Sequence, residues 1–224
     1  MLGAAEPSGG KMHSKEGSTP KPAPPRIAST TRIEAFSDGV FAVVITLLIL
    51  EVHVPTLSDL SGEAVLAALV GLAPKLISFG VSFFTIAVIW VNHHHFFEPI
   101  THSDWKLLWY NIFFLFWVTV VPFTTAFIGS YPTQPLVVAL YSVTLALVAF
   151  SSVWMGRYVF FKSDLFSPLV SMDDRRRSWT RYRLSVLLYG GAGALAFVAV
   201  YASLAILALV PFIYVVPSLL RRED

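Results

Sequence analysis

Residues 32–52 read RIEAFSDGVFAVVITLLILEV, with no charge between Asp38 and Glu51. With its flanks this stretch is long enough to cross about 30 Å of hydrocarbon as a helix. It is a membrane span with a carboxylate inside one end. That reading sets the fold class: an all-α, polytopic membrane protein built from spans like this one.

Composition agrees. The chain has 224 residues, of which 55% are hydrophobic and 13% charged, with a mean hydropathy of +0.67, well above a soluble domain. It contains no cysteine, so disulfides, thiolate metal sites and cysteine nucleophiles are excluded. A formal charge of +2 is too small to argue for nucleic acid, and the basic residues cluster in loops beside apolar runs, where topology explains them.

Residues 1–31 are rich in Pro, Ser, Gly and Lys without apolar periodicity, which predicts a disordered tail. No short apolar core with a small-residue cleavage site precedes the first span, so no signal peptide is expected. Glu51 to Glu63 reads as a short loop. Ala64 to Phe97 reads as one long tilted or projecting span, with Lys75 snorkelling outward or pairing with a neighbour. Leu107 to Ile128 forms a third span, kinked at Pro122, and Leu136 to Met155 a fourth, ended by Arg157. Ser171-x-x-Asp174 predicts the cap of a short interfacial helix within the polar segment Arg157 to Arg183.

The run Leu184 to Pro217 is either one very long helix or two spans, and charge decides. Nearly all Lys and Arg fall in the N-terminal tail, the Glu98 to Lys106 turn, the Arg157 to Arg183 segment and the Arg221-Arg222 end. By the positive-inside rule both termini are then cytoplasmic, which demands an even number of crossings. Splitting the run near Tyr201 to Ser203 gives a six-helix domain over residues 32–217, with a short cytoplasmic tail over 218–224.

At about 100° per residue, Gly39, Val43, Thr46, Leu47 and Leu50 share one stripe of the first helix. An ordinary packing seam would look the same. Ser37 and Asp38 point away from it. The residues ahead of it carry a resemblance. Arg32-x-x-x-Phe36-Ser37-Asp38 opens the first span, and Trp90-x-Asn92-His93-His94 closes the second. In these motifs the chain resembles bacterial members of the endosomal and lysosomal potassium channel family, the transmembrane protein 175 type, over about residues 32 to 216.

That resemblance implies a potassium-permeable channel of the bacterial cell membrane, assembled as a homotetramer with the first helix lining the pore. Carried over by position, it makes Val43 the narrowest apolar ring, with Thr46 a turn outward and Leu47 and Leu50 beyond. No TVGYG filter occurs in the sequence. Val43 is smaller than the Ile or Leu frequent there in relatives. The expected partners are potassium ions, the lipid bilayer and further copies of the chain. No cofactor, metal or nucleic acid is expected.

Topology places Asp38 about 9 Å inside the cytoplasmic end of the first helix, level with His93, His94, Trp109 and Asn111. A carboxylate at that depth needs donors, so Ser37, Asp38, Asn92, His93, His94, Trp109 and Asn111 are expected to form one hydrogen-bonded layer joining three helices. Arg32 would sit at the interface, paired with acids or lipid phosphate.

Other chemistries fit less well. Consecutive histidines on a helix diverge by about 100° each, so His93, His94 and His95 cannot jointly hold one tetrahedral metal, and His94 or His95 could join His102 and Asp104 in one only across the turn. No GxSxG or comparable nucleophile motif appears, so the chain does not read as an enzyme. A secondary transporter is the serious alternative, since the Gly190-Gly191-Ala192-Gly193 stretch would suit a broken span, although close helix packing also explains it.

Overall fold

The computed structural model describes residues 29–219 together with Gly3, with side chains as far as Val215. Most of the two predicted tails therefore lies outside the described residues. The described residues form seven helices: α1 (Thr31–Leu50), α2 (Gly62–Gly71), α3 (Ala73–Phe97), α4 (Trp105–Ser130), α5 (Pro135–Phe161), α6 (Met172–Leu195) and α7 (Val200–Leu219). Four of them, α1, α3, α4 and α5, are long and apolar enough to cross a membrane. The other three are the short apolar α2, α6, whose first half is charged, and the apolar α7.

Several boundaries differ from the sequence reading. The run Ala64 to Phe97 is not one span, because Pro74 has no N–H to continue a helix through it and sits instead in the first turn of α3. The break at Leu72 makes α2 a separate short helix, capped by the Ser61 hydroxyl on the Ala64 amide at 3.3 Å, with none of its residues buried. Lys75 consequently stands in the first turn of α3, at one end of that membrane-capable helix. Arg157 does not end the fourth span: its side chain is exposed, and the helix runs on to Phe161. Ser171 does cap a helix, its Oγ accepting from the Asp174 amide at 3.1 Å, but that helix is α6 itself. No breaker intervenes before Leu195. The last run divides at residues 196–199, slightly ahead of the predicted Tyr201 to Ser203. Ser203 is instead the fastener across the turn, donating to the Ala192 carbonyl at 2.7 Å.

The main core joins Phe41, Val44 and Leu48 of α1 to Ile86 of α3, Phe114 and Val118 of α4, and Leu145 and Val148 of α5. In lipid such contacts gain little from leaving solvent, so close packing and small residues carry the association. At Gly193 an added Cβ would stand 3.2 Å from Ser142 Cβ on α5, and α6 runs unbroken through Gly190 to Gly193. Close packing accounts for Gly193, while Gly190 and Gly191 face open space, and none of the stretch is unwound.

Gly129 is tighter still. A Cβ there would lie 2.6 Å from Ser78 Oγ and 3.3 Å from Lys75 Cα. The Gly129→Ala substitution should push the end of α4 off the start of α3 and cost about 1–3 kcal/mol, read as a lower thermal midpoint in detergent. Gly39→Ala, in open space, should leave that midpoint within error for the isolated chain.

A second core of Ile33, Phe96, Phe97, Ile100, Leu107, Val159 and Leu165 closes the end of the bundle where α3 meets α4 and α5 meets α6. The two connecting loops are tied there. Thr101 N–H donates to the Leu165 carbonyl at 2.9 Å, and Ser167 N–H to that of Pro99 at 2.8 Å. Asp104 caps α4 through the Leu107 amide at 2.7 Å and also accepts from the Tyr158 hydroxyl of α5. This end is called the charged end below.

Candidate functional site

One helix carries both candidate features, and its two faces divide them. The face of α1 formed by Ile33, Ser37, Phe41, Val44 and Leu48 is buried. The opposite stripe is open: Gly39 and Thr46 are exposed, and Val43, Leu47 and Leu50 show 56%, 43% and 65% of their surface. The stripe is thus not a packing seam within one chain. Thr46 Oγ1 lies 2.9 Å from both the Ala42 and Val43 carbonyls. Its proton is therefore committed to its own helix, which leaves the oxygen lone pairs as acceptors on the open face.

On the buried side the polar layer forms, in two separate parts. Asn111 of α4, fully buried, donates through Nδ2 to Ser37 Oγ at 2.9 Å, and Ser37 in turn donates to the Ile33 carbonyl at 2.8 Å. The amide oxygen of Asn111 accepts from His93 Nε2 at 2.9 Å. His93 is clamped among rings, parallel to Phe114 at 5.3 Å and close to Phe41 and Phe97 at 5.5 and 4.8 Å. Ser37, Asn111 and His93 thereby knit α1, α4 and α3 at one level.

Asp38 belongs to the second part. It is exposed, and its Oδ1 accepts from Trp90 Nε1 at 2.8 Å, joining α1 to α3 at the edge of the layer. The remaining predicted members stand apart. Asn92 spends its amide on the Val88 carbonyl of its own helix at 2.7 Å. His94 is exposed, stacked on Trp90 at 6.2 Å and 3.8 Å from Glu98. Trp109 and Phe36 are exposed at 61% and 58%, and Arg32 is exposed without an ion-pair partner among the described residues. Equal depth brought these residues to one level, but azimuth decided which of them meet.

A further buried relay escaped the sequence reading. Thr125 of α4 donates to Ser82 Oγ of α3 at 2.8 Å, and Ser82 shares a 2.9 Å hydrogen bond with Tyr141 of α5. Isolated hydroxyls in apolar runs carry no spacing signal that would have paired them.

Near the opposite end, Glu51, Asp59 and Glu63 are acidic. Asp59 accepts from the Ser61 hydroxyl at 2.7 Å and the Ser61 amide at 2.9 Å, and these two bonds hold its carboxyl below the usual range. It stays anionic at any neutral pH.

The sequence model described as endosomal/lysosomal potassium channel TMEM175 matches residues 32–122. A potassium channel of Chamaesiphon minutus is 34% identical over 187 residues, covering 81% of this chain and 91% of that protein. A potassium channel of Streptomyces collinus is 35% identical over 180 residues, covering 78% and 85% respectively. The crystal structure of a lysosomal potassium-selective TMEM175 homologue from Chamaesiphon minutus superposes with a TM-score of 0.75 at 31% identity, over 84% of this chain and 97% of that one.

Proposed function

Because the chain belongs to the TMEM175 potassium channel family, we propose that it is a potassium-permeable channel whose pore forms when four copies bring the open stripes of α1 together. The observation that carries this reading is the division of α1. Its inward face is packed and polar-pinned, while Gly39, Val43, Thr46, Leu47 and Leu50 present an exposed apolar strip with one hydroxyl.

Four Val43 side chains on an axis make a constriction that blocks ions by dewetting when narrow. One turn further along, four Thr46 oxygens, each with its proton held by its own helix, replace part of a cation's lost hydration shell. Leu47 and Leu50 continue the wall. These side-chain rings take the place of a TVGYG carbonyl filter. Glu51, Asp59 and Glu63 form an acidic mouth beyond them that concentrates cations. Both termini are cytoplasmic in this arrangement, in the bacterial cell membrane. Asp38, turned about 130° from the stripe, supports α1 through Trp90 and does not ligate ions.

Purified protein in bilayers under a potassium gradient tests the reading directly. A steady conductance is expected; slow saturable flux or obligatory exchange would replace the channel with a transporter. Thr46→Val keeps the shape and removes the oxygen, so it should lower the potassium over sodium preference in reversal-potential measurements. An unmoved reversal potential would leave selection to the apolar constriction alone.

A further inference from the structure

Among the described residues the backbones of α3 and α6 stand apart and the two helices meet through the Phe96 and Tyr182 rings at 6.3 Å, while both pack on α7 and α5 packs on α6. The gap between them is a cleft. Its mouth, a cavity of about 360 Å³, opens at the charged end between Pro99, Phe166 and the residues Arg175, Ser178 and Arg181 of α6. Deeper in, a narrower pocket of about 70 Å³ shares Asn92, Phe96, Tyr182 and Tyr214 as walls and is otherwise lined mainly by apolar groups such as Val88, Leu145, Val148 and Met155.

The ionisable groups around the mouth include Arg175, Arg181, His95, Asp174 and Glu98. Both acids are engaged. Asp174 Oδ2 accepts from the Ser171 hydroxyl at 2.6 Å, and Glu98 lies 3.2 Å from His95 Nδ1. Neither guanidinium has a carboxylate partner among the described residues. Arg175 donates to the Ser167 carbonyl at 2.9 Å and to the Phe160 carbonyl at 3.5 Å and lies over the Phe166 ring, yet its buried Nε has no acceptor among the described residues. Arg181 stacks at 5.9 Å on the ring of Tyr214.

We propose that this cleft holds an anionic phospholipid, its phosphate on Arg175 and Arg181 and one acyl chain directed into the apolar pocket. Guanidinium forks match phosphate oxygens. The segment carrying them, Arg175 to Arg183 with Trp179 between, has the Arg-rich and aromatic character of a membrane interface, where anionic headgroups gather. The predominantly apolar wall of Val88, Leu145, Val148 and Met155 in a bilayer-spanning bundle suits a hydrocarbon chain. A fatty-acid carboxylate would leave most of the mouth empty, whereas a glycerophosphate headgroup fills it. Asn92 and His93 also line the inner pocket, so a bound chain abuts the polar layer that holds α1.

Native mass spectrometry of the full chain, released from detergent with dioleoyl phosphatidylglycerol, dioleoyl phosphatidylcholine or oleate, tests this without reference to conduction. Wild type should retain phosphatidylglycerol in preference to phosphatidylcholine. Arg181→Gln should weaken retention roughly fivefold, and adding Arg175→Gln should weaken it further by a similar factor. Arg176→Gln with Arg177→Gln, on exposed positions of the same helix, should change retention less than about twofold. Ser152→Phe, which fills the inner pocket, should weaken retention with both arginines intact. Equal retention of phosphatidylcholine, equal loss from the exposed arginine pair, or oleate binding in place of phosphatidylglycerol would each overturn the assignment. Retention of phosphatidylglycerol unchanged by Arg181→Gln would do the same even if the double variant failed to fold.

Discussion

The Asn111→Leu substitution is expected to lower stability by about 2–4 kcal/mol, the largest loss from a single change in the polar layer. Asn111 is fully buried and serves two partners at once, as donor to Ser37 and acceptor from His93. Leucine fits the volume but leaves the His93 ring N–H without an acceptor among Phe41, Phe97 and Phe114. The thermal midpoint in detergent should fall by roughly 5–15 °C. Since α1 is pinned to α4 through this residue, the yield of assembled oligomer on size exclusion should fall with it. His94→Gln is the contrasting change: with His94 half-exposed beside Glu98, Trp90 and His95, it should cost less than about 0.5 kcal/mol. If both variants melt alike, the Ser37–Asn111–His93 chain does not secure α1.

The second large effect belongs to Val43. Val43→Ala removes two methyl groups from each chain at the proposed constriction, and it leaves the core of each chain intact because the side chain is more than half exposed. A wider apolar ring wets more readily, and lowering its barrier by roughly 1.4 kcal/mol raises ion passage about tenfold. Potassium flux from vesicles should therefore rise by about that factor while the reversal potential moves little. The pair of results, leak from Val43→Ala and lost preference from Thr46→Val, separates gate from filter. A Val43→Ala protein with unchanged flux would place the constriction elsewhere.

The sequence by itself determined the class of the protein and the split of α1. An uncharged stretch between Asp38 and Glu51, repeated in kind along the chain, admits only membrane helices, because a backbone in hydrocarbon has to satisfy its own hydrogen bonds. Period alone put Gly39, Val43, Thr46, Leu47 and Leu50 on one face and Ser37 and Asp38 off it, since a helix has a fixed twist whatever it packs against. The Ser171 cap was legible for the same reason: it is a contact between residues three apart.

What only the tertiary structure decided were the relations between helices. Depth along the bundle could be counted from the chain, so the layer of Ser37, Asp38, Asn92, His93, His94, Trp109 and Asn111 was placed at one level. The rotation of each helix against its neighbours could not be counted. It is set by packing such as Gly129 on Ser78 and Gly193 on Ser142, and it turned Trp109 and His94 outward, gave Asn92 to its own carbonyl, and left Asn111 between Ser37 and His93. The cleft between α3 and α6 arises in the same way. Arg175 and Arg181 look like ordinary positive-inside residues in sequence, and only the spacing of two helices whose backbones stand apart gives them a cavity to face.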